Sequence, residues 1–168
     1  ISCASHLRFL SFKGDICMIC EENYYPYQRP PLSKKFLTGQ FLEERLLLKK
    51  VDYYKINNIQ VLLSKKATKI DRDNKKVHLQ SGEKIDYTKL VIAIGSKAKK
   101  APLSDCDNYS NAYYLRNLHD AKNLKNQLQT GKKILIIGGG YLGLEVASVC
   151  SSVGMNTTVV EGADRILK

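Results

Sequence analysis

No hydrophobic run in this sequence reaches membrane-spanning length: the longest apolar stretches, "LVIAIG" and "ILIIGGG", are strand-sized, against the about 20 residues that a bilayer helix needs. That argues against a transmembrane helix and for a soluble chain. An initiating Met is also missing, and the opening "ISCASHLRFL" has neither the basic start nor the apolar core of a signal peptide. Sequence is therefore expected upstream of Ile1. Histidine is scarce, and His6, His78 and His119 stand at no ligand spacing to one another or to cysteine, so no metal site is expected. The five cysteines, at positions 3, 17, 20, 106 and 150, are odd in number and scattered. They speak against a secreted disulfide framework and for a reducing, cytoplasmic setting. Cys17 and Cys20 form a CxxC, but "DICMICEE" reads as a buried strand, where residues three apart point to opposite faces. Acidic residues are outnumbered, 16 against 27 Lys and Arg, for a net charge of +11, which favours acidic partners. The lysines, among them Lys49, Lys50, Lys65, Lys66, Lys75, Lys76 and the run 97–100, are dispersed and lack an RNA-binding aromatic motif. They read as a solvated basic surface and not as a nucleic-acid site.

What is present is globular composition, 43% hydrophobic and 26% charged over 168 residues, enough for one domain or two small ones. The hydrophobic period predicts an α/β order: an amphipathic helix in "SCASHLRFLSF", a strand in "DICMICE", and a turn into a short helix in "PPLSKKFLTG", closed by Gly39. The segments "IQVLLS", "ATKIDRD", "KKVHLQS" and "KIDYTKLVIAIG" read as strands, with "DRDN" and "SGE" as turns. They suggest an antiparallel meander inserted in the α/β frame. "APLSDCDNYSN" reads as a connection, placing a domain boundary near Ser110, and "LHDAKNLKNQL" as a helix beyond it.

The strongest local signal follows. "KKILIIGGGYLGLEV" runs a strand into Gly138, Gly140 and Gly143, a GxGxxG, and then into a helix whose Leu142, Val146, Val149 and Val153 recur at helical spacing. In such a loop Gly138 permits the tight turn, Gly140 lets backbone approach a pyrophosphate, and Gly143 lets helix and strand pack closely. The pyrophosphate rests on the positive helix N-terminus. "NTTVVE" supplies the next strand, and Glu161 ends it, about 20 residues on, where a carboxylate accepts bonds from adenosine ribose hydroxyls and repels the 2′-phosphate of NADP. NAD is therefore the expected nucleotide, with Arg165 the residue that would offset the acid.

Taken with "YPYQRPPLSKKFLTG", "KGDI", "LVIAIG" and "YYLRNLHDA", this motif resembles, in order and over essentially the whole chain, the FAD-dependent ferredoxin and rubredoxin reductases of the pyridine-nucleotide oxidoreductase superfamily. The resemblance implies Rossmann-like FAD- and NAD-binding domains with an inserted antiparallel β-meander, the chain being an internal piece truncated at both ends. Residues 1–110 would be a partial FAD-binding domain and 111–168 the start of the NAD-binding domain. Glu21 would bind the FAD adenosine ribose, with Glu22 the second candidate and an exposed acidic pair the alternative. Arg29 would lie near the FAD pyrophosphate, Pro30 and Pro31 would stiffen the approach, and Ala67 would meet the adenine. Ala93 and Gly95 belong to a segment resembling one beside the flavin, in which Ile94 replaces the family's Thr.

For catalysis the resemblance pairs Lys34 with Glu145 beside the flavin, where an ammonium can orient the carboxylate and offset growing negative charge. The local alternatives are a helix-start acid, stabilising in itself, and a solvated lysine. Tyr141 resembles a residue covering the nicotinamide pocket. The redox cysteines of the disulfide reductases are absent from "PYQRPPLSK", so hydride would pass from NADH to FAD and leave as single electrons to an acidic ferredoxin or rubredoxin. Two other readings stand beside this one: a flavoprotein similar to apoptosis-inducing factor, acting through partner or nucleic-acid binding, and a 168-residue piece that is inert by itself.

Overall fold

Parallel strand pairs need a crossover and a covering helix, and both halves of the chain show the pattern. The structure, a computed structural model, describes residues 1–101 and 108–168. The middle of the expected connection "APLSDCDNYSN", with Cys106, lies outside the described residues. The chain divides into two compact units, Ile1–Tyr27 with Leu47–Ile94, and Gln28–Leu46 with Gly95–Lys168. These are packing units; the expected boundary near Ser110 concerns which cofactor each stretch holds.

In the first unit α1 (Ser2–Phe9) leads to β1 (Ile16–Ile19), which pairs in parallel with β2 (Ile59–Leu62) in the register Ile16↔Ile59 to Ile19↔Leu62. Between them comes α2 (Val51–Ile56), which the sequence reading passed over: at six residues with Tyr54 alone buried, it gives almost no periodic signal. Ala4, Tyr54 and Ile59 form the core, with Ile16, Met18, Tyr25 and Val61 packed against it. β1 is half-buried, not buried as expected, and Cys17 is exposed, because among the described residues its sheet has two strands. The thiols of Cys3, Cys17, Cys20 and Cys150 are free.

Arg8 ties this unit together. Its guanidinium donates to the carbonyls of Asn57 (2.7 Å), Asn58 (2.7 Å), Phe12 (2.6 Å) and Gly14 (2.8 Å), so one side chain closes α1 onto the turn between α2 and β2. Arg8→Ala is expected to lower stability by about 2 kcal/mol, and Arg8→Lys by nearly as much, since an ammonium cannot span four carbonyls. Urea unfolding of the two variants measures this.

The meander forms as expected: β3 (Ala67–Asp71), β4 (Lys76–Leu79) and β5 (Lys84–Asp86) pair antiparallel in that order. Asp71 accepts from the Asn74 backbone at 3.0 Å to close one turn, and Gly82, at φ +87°, makes the other. Val77 and Leu79 supply its buried face. The strand expected to continue through "LVIAIG" does not form. β5 stops at Asp86, and residues 90–94 carry no strand assignment, with Val91 65% and Ile94 88% exposed. Among the described residues no strand lies beside them to supply ladder bonds and cover, and an apolar run is a buried strand only between such neighbours. No helix among the described residues is long and apolar enough to cross a membrane.

In the second unit β6 (Lys133–Ile137) and β7 (Asn156–Val160) pair in parallel, Lys133↔Asn156 to Ile137↔Val160. The connection is α4 (Tyr141–Ser152), which buries Val146, Val149 and Cys150. Leu142, expected on this inner face, is 47% exposed; the buried stripe begins a turn later. α3 (Leu118–Lys125) starts with a capping box between Asn117 and Asp120 and buries Leu118, Ala121 and Leu124. "PPLSKKFLTG", expected as a turn into a short helix, holds a single 3₁₀ turn, Pro30–Ser33, whose start suits proline and which stops where Lys34, at φ −125° and ψ −114°, leaves helical space. Gly39 ends the segment at φ +78° as expected. This turn packs against both α3 and α4.

Candidate functional site

The glycine loop is built from β6 upward. Gly138 takes φ +114°, open to glycine but strained for other residues, while its N–H still donates to the Val160 carbonyl at 2.8 Å. The strand therefore turns without leaving its partner. Gly140 is the N-cap of α4, no side chain caps the helix, and a Cβ added there would meet nothing within 4 Å. Free amides and open space coincide at a positive helix end. Gly143 has the opposite surroundings: an added Cβ would fall on the Gly138 carbonyl oxygen, with Ile136 Cγ2 at 3.4 Å.

Glu161 follows β7 directly. Its carboxylate accepts from the Gly139 N–H at 2.6 Å and the Ala163 N–H at 2.9 Å, and the Ala163 and Gly139 amides hold its pKa below the ordinary carboxylate value. Leu167 N–H donates back to the Gly139 carbonyl at 3.0 Å, so residues 161–167 lie along the loop.

Lys34 and Glu145, far apart in sequence, meet: Lys34 Nζ lies 2.7 Å from Glu145 Oε1, and Ser33 Oγ donates to Oε2. The Lys34 bond first, then the Ser33 bond, lower the Glu145 pKa. Lys34 is half-exposed and Glu145 31% exposed, and exposed pairs contribute only about 0.2–1 kcal/mol to stability. The pair borders a cleft of about 480 Å³ lined also by Tyr141, Leu144, Val149 and Leu167. Tyr141, first in α4, is 78% exposed there.

Also in the second unit, Arg29 donates to the Arg116 carbonyl at 2.9 Å. Arg116 Nε donates to the Ser96 carbonyl at 2.9 Å, and its Nη2 would lie 3.4 Å from a Cβ at Gly95, itself at φ +67°. Pro30 heads the 3₁₀ turn between Arg29 and Lys34. In the first unit Glu21, just past β1, pairs with Lys66 at 3.0 Å, the residue before Ala67 at the start of β3. The strand ends carrying Glu21 and Ala67 thus come together, joined also by Lys65 N–H to the Cys20 carbonyl at 2.9 Å. Ala93 is exposed, outside any strand. Ser33 and Arg116 were quoted within motifs but given no role by the sequence; neither has a local signal, since each acts on a residue distant in the chain. Among the described residues no three His, Cys, Asp or Glu side chains cluster to hold a metal ion.

Comparison with known proteins shows the family. All of residues 1–168 match the family described as pyridine nucleotide-disulphide oxidoreductase. A rubredoxin-NAD(+) reductase of Pseudomonas putida is 38% identical over 167 residues, 99% of this chain and 43% of the relative. Putidaredoxin reductase of the same organism is 35% identical over 170 residues, 100% of this chain and 40% of the relative. In the crystal structure of the covalent putidaredoxin reductase–putidaredoxin complex, the matching chain superposes with a TM-score of 0.93 at 36% identity, over 98% of this chain and 40% of that one. The chain thus spans about two-fifths of the length of these relatives.

Proposed function

Because the chain belongs to the pyridine nucleotide-disulphide oxidoreductase family, we propose that the protein is a flavoprotein reductase carrying electrons from NADH through FAD to an acidic ferredoxin or rubredoxin. The observation that carries this reading is the Lys34–Glu145 pair at 2.7 Å, at the head of the helix that follows the glycine loop. When bound, FAD accepts a hydride from the nicotinamide and releases its electrons singly.

Each group has residues that fit it. For NAD, the uncapped start of α4 and the open space at Gly140 suit a pyrophosphate, and Glu161 suits the ribose hydroxyls. The cleft beside Tyr141 and Glu145 would take the nicotinamide. For FAD, residues 1–110 would supply Glu21 to the ribose, Arg29 to the pyrophosphate and Ala67 to the adenine, with Ala93 and Gly95 near the ring. Arg116, whose guanidinium reaches Ser96 and Gly95, adds a second fork suited to phosphate. Residues 111–168 would open the NAD domain. Lys34 orients Glu145 and offsets negative charge at the redox site. The net charge of +11 favours an acidic acceptor.

The test is the visible spectrum of the full-length protein that contains this chain, given FAD, before and after NADH is added without oxygen, followed by reduction of a ferredoxin or rubredoxin. Bleaching and then electron transfer support the reading; a protein that takes up no FAD defeats it. The nucleotide choice has its own check. Glu161→Ser removes the carboxylate that opposes a 2′-phosphate, and the ratio of kcat/KM for NADH over NADPH is expected to fall about tenfold or more. A ratio is the right measure because loosening residues 161–167 would weaken both nucleotides alike.

A further inference from the structure

Ser33 is buried, 3% exposed, beside the half-exposed Lys34. Its hydroxyl has one proton and two acceptors in reach: Glu145 Oε2 and the Pro30 carbonyl, 3.4 Å away. A serine bonded to the carbonyl three residues back would be an ordinary local turn contact. Here the nearer acceptor is the charged one, 112 residues along the chain, and a charge-assisted bond is the stronger. With Lys34 on Oε1, each oxygen of Glu145 has its own donor, both from consecutive residues of one turn. The ammonium, on a long flexible stem, fixes where one oxygen goes; only a second donor fixes the plane of the carboxylate.

We infer that Ser33 is a positioning residue, holding the carboxylate of Glu145 in one rotational orientation beside Lys34 so that the pair faces the redox site in a single geometry. The inference rests on the proposed function, which supplies what the carboxylate faces once the cofactors are bound.

Ser33→Ala, Glu145→Gln and the double variant test it through the rate at which NADH bleaches the flavin without oxygen. Carbon NMR of the Glu145 carboxyl in the parent and in Ser33→Ala adds a readout independent of activity. Ser33→Ala is expected to slow bleaching about tenfold, with NADH affinity unchanged and the melting temperature lowered by a few degrees for the lost bond, and to add no further loss of rate to Glu145→Gln. The Glu145 carboxyl is expected to titrate at higher pH in Ser33→Ala, because a donor to its ionised form is gone, while Lys34 and Lys35, the cations lining the same cleft, remain. A tenfold loss on top of Glu145→Gln, or an unmoved titration, overturns the inference. If the parent takes up no FAD, the proposed function falls and this inference with it; if the parent bleaches and Glu145→Gln leaves the rate unchanged, the role given to the Lys34–Glu145 pair and this inference fall while the reductase reading stands. If Glu145→Gln slows bleaching and Ser33→Ala does not, only this inference falls.

Discussion

Replacing Gly143 with valine is expected to lower stability by about 3 kcal/mol and to remove NADH binding. Gly143 lies in the first turn of α4, where a Cβ would fall on the Gly138 carbonyl oxygen and within 3.2 Å of the Gly138 carbonyl carbon. That obstacle is backbone and cannot swing aside as a flexible side chain would. Nor can Gly138 retreat, because its N–H is committed to the Val160 carbonyl at 2.8 Å and retreat would break β6 from β7. The helix must therefore lift, which loosens the packing of Val146, Val149 and Cys150 and carries the α4 amides away from the pyrophosphate. Gly140→Ala is the informative contrast. Its backbone, at φ −79° and ψ −179°, accepts any residue and its Cβ meets nothing, so stability should hold while the added methyl crowds the pyrophosphate and weakens NADH. Urea unfolding and NADH titration of both variants separate close packing from ligand approach; a Gly143→Val protein binding NADH as the parent does would refute the packing argument.

The contrast also explains which parts of the molecule were legible in the sequence. From β6 to Glu161 every partner lies within one short stretch: strand, turn, helix and second strand are neighbours in chain and in space. Period, glycine spacing and a terminal acid therefore specified them together. The run at residues 90–94 was equally apolar, yet its strand needs neighbours that the local sequence does not contain. The short helix read in "PPLSKKFLTG" is confined to the 3₁₀ turn Pro30–Ser33 because the backbone breaks at Lys34, a break that the period of "PLSKKFL" does not announce, and the six-residue α2 was too short to register. The Lys34–Glu145 pair came from family resemblance and not from spacing, since residues so far apart leave no periodic trace. Ser33 and Arg116 stayed silent for the same reason: a hydroxyl and a guanidinium gain their roles from partners that only the folded chain brings near.

Glu145→Gln is expected to slow hydride transfer from NADH about 100-fold while leaving the fold and NADH affinity nearly unchanged. The amide has almost the shape of the carboxylate, and the local bonds can be remade around it. Its oxygen keeps the Lys34 ammonium, its NH2 turns to the Ser33 hydroxyl, and the Ser33 proton passes to the Pro30 carbonyl, 3.4 Å away. What disappears is the negative charge opposite Lys34, and a half-exposed pair of this kind contributes little to stability. The loss should therefore fall on the chemical step, seen by anaerobic stopped-flow as slow flavin bleaching that saturates at the parental NADH concentration. Lys34→Met should produce a loss of similar order from the other side, and the two together little more than either alone, because each acts only through the pair. An unchanged bleaching rate in Glu145→Gln would reduce the pair to a surface salt bridge, and the charge arrangement at the head of α4 would then need another purpose.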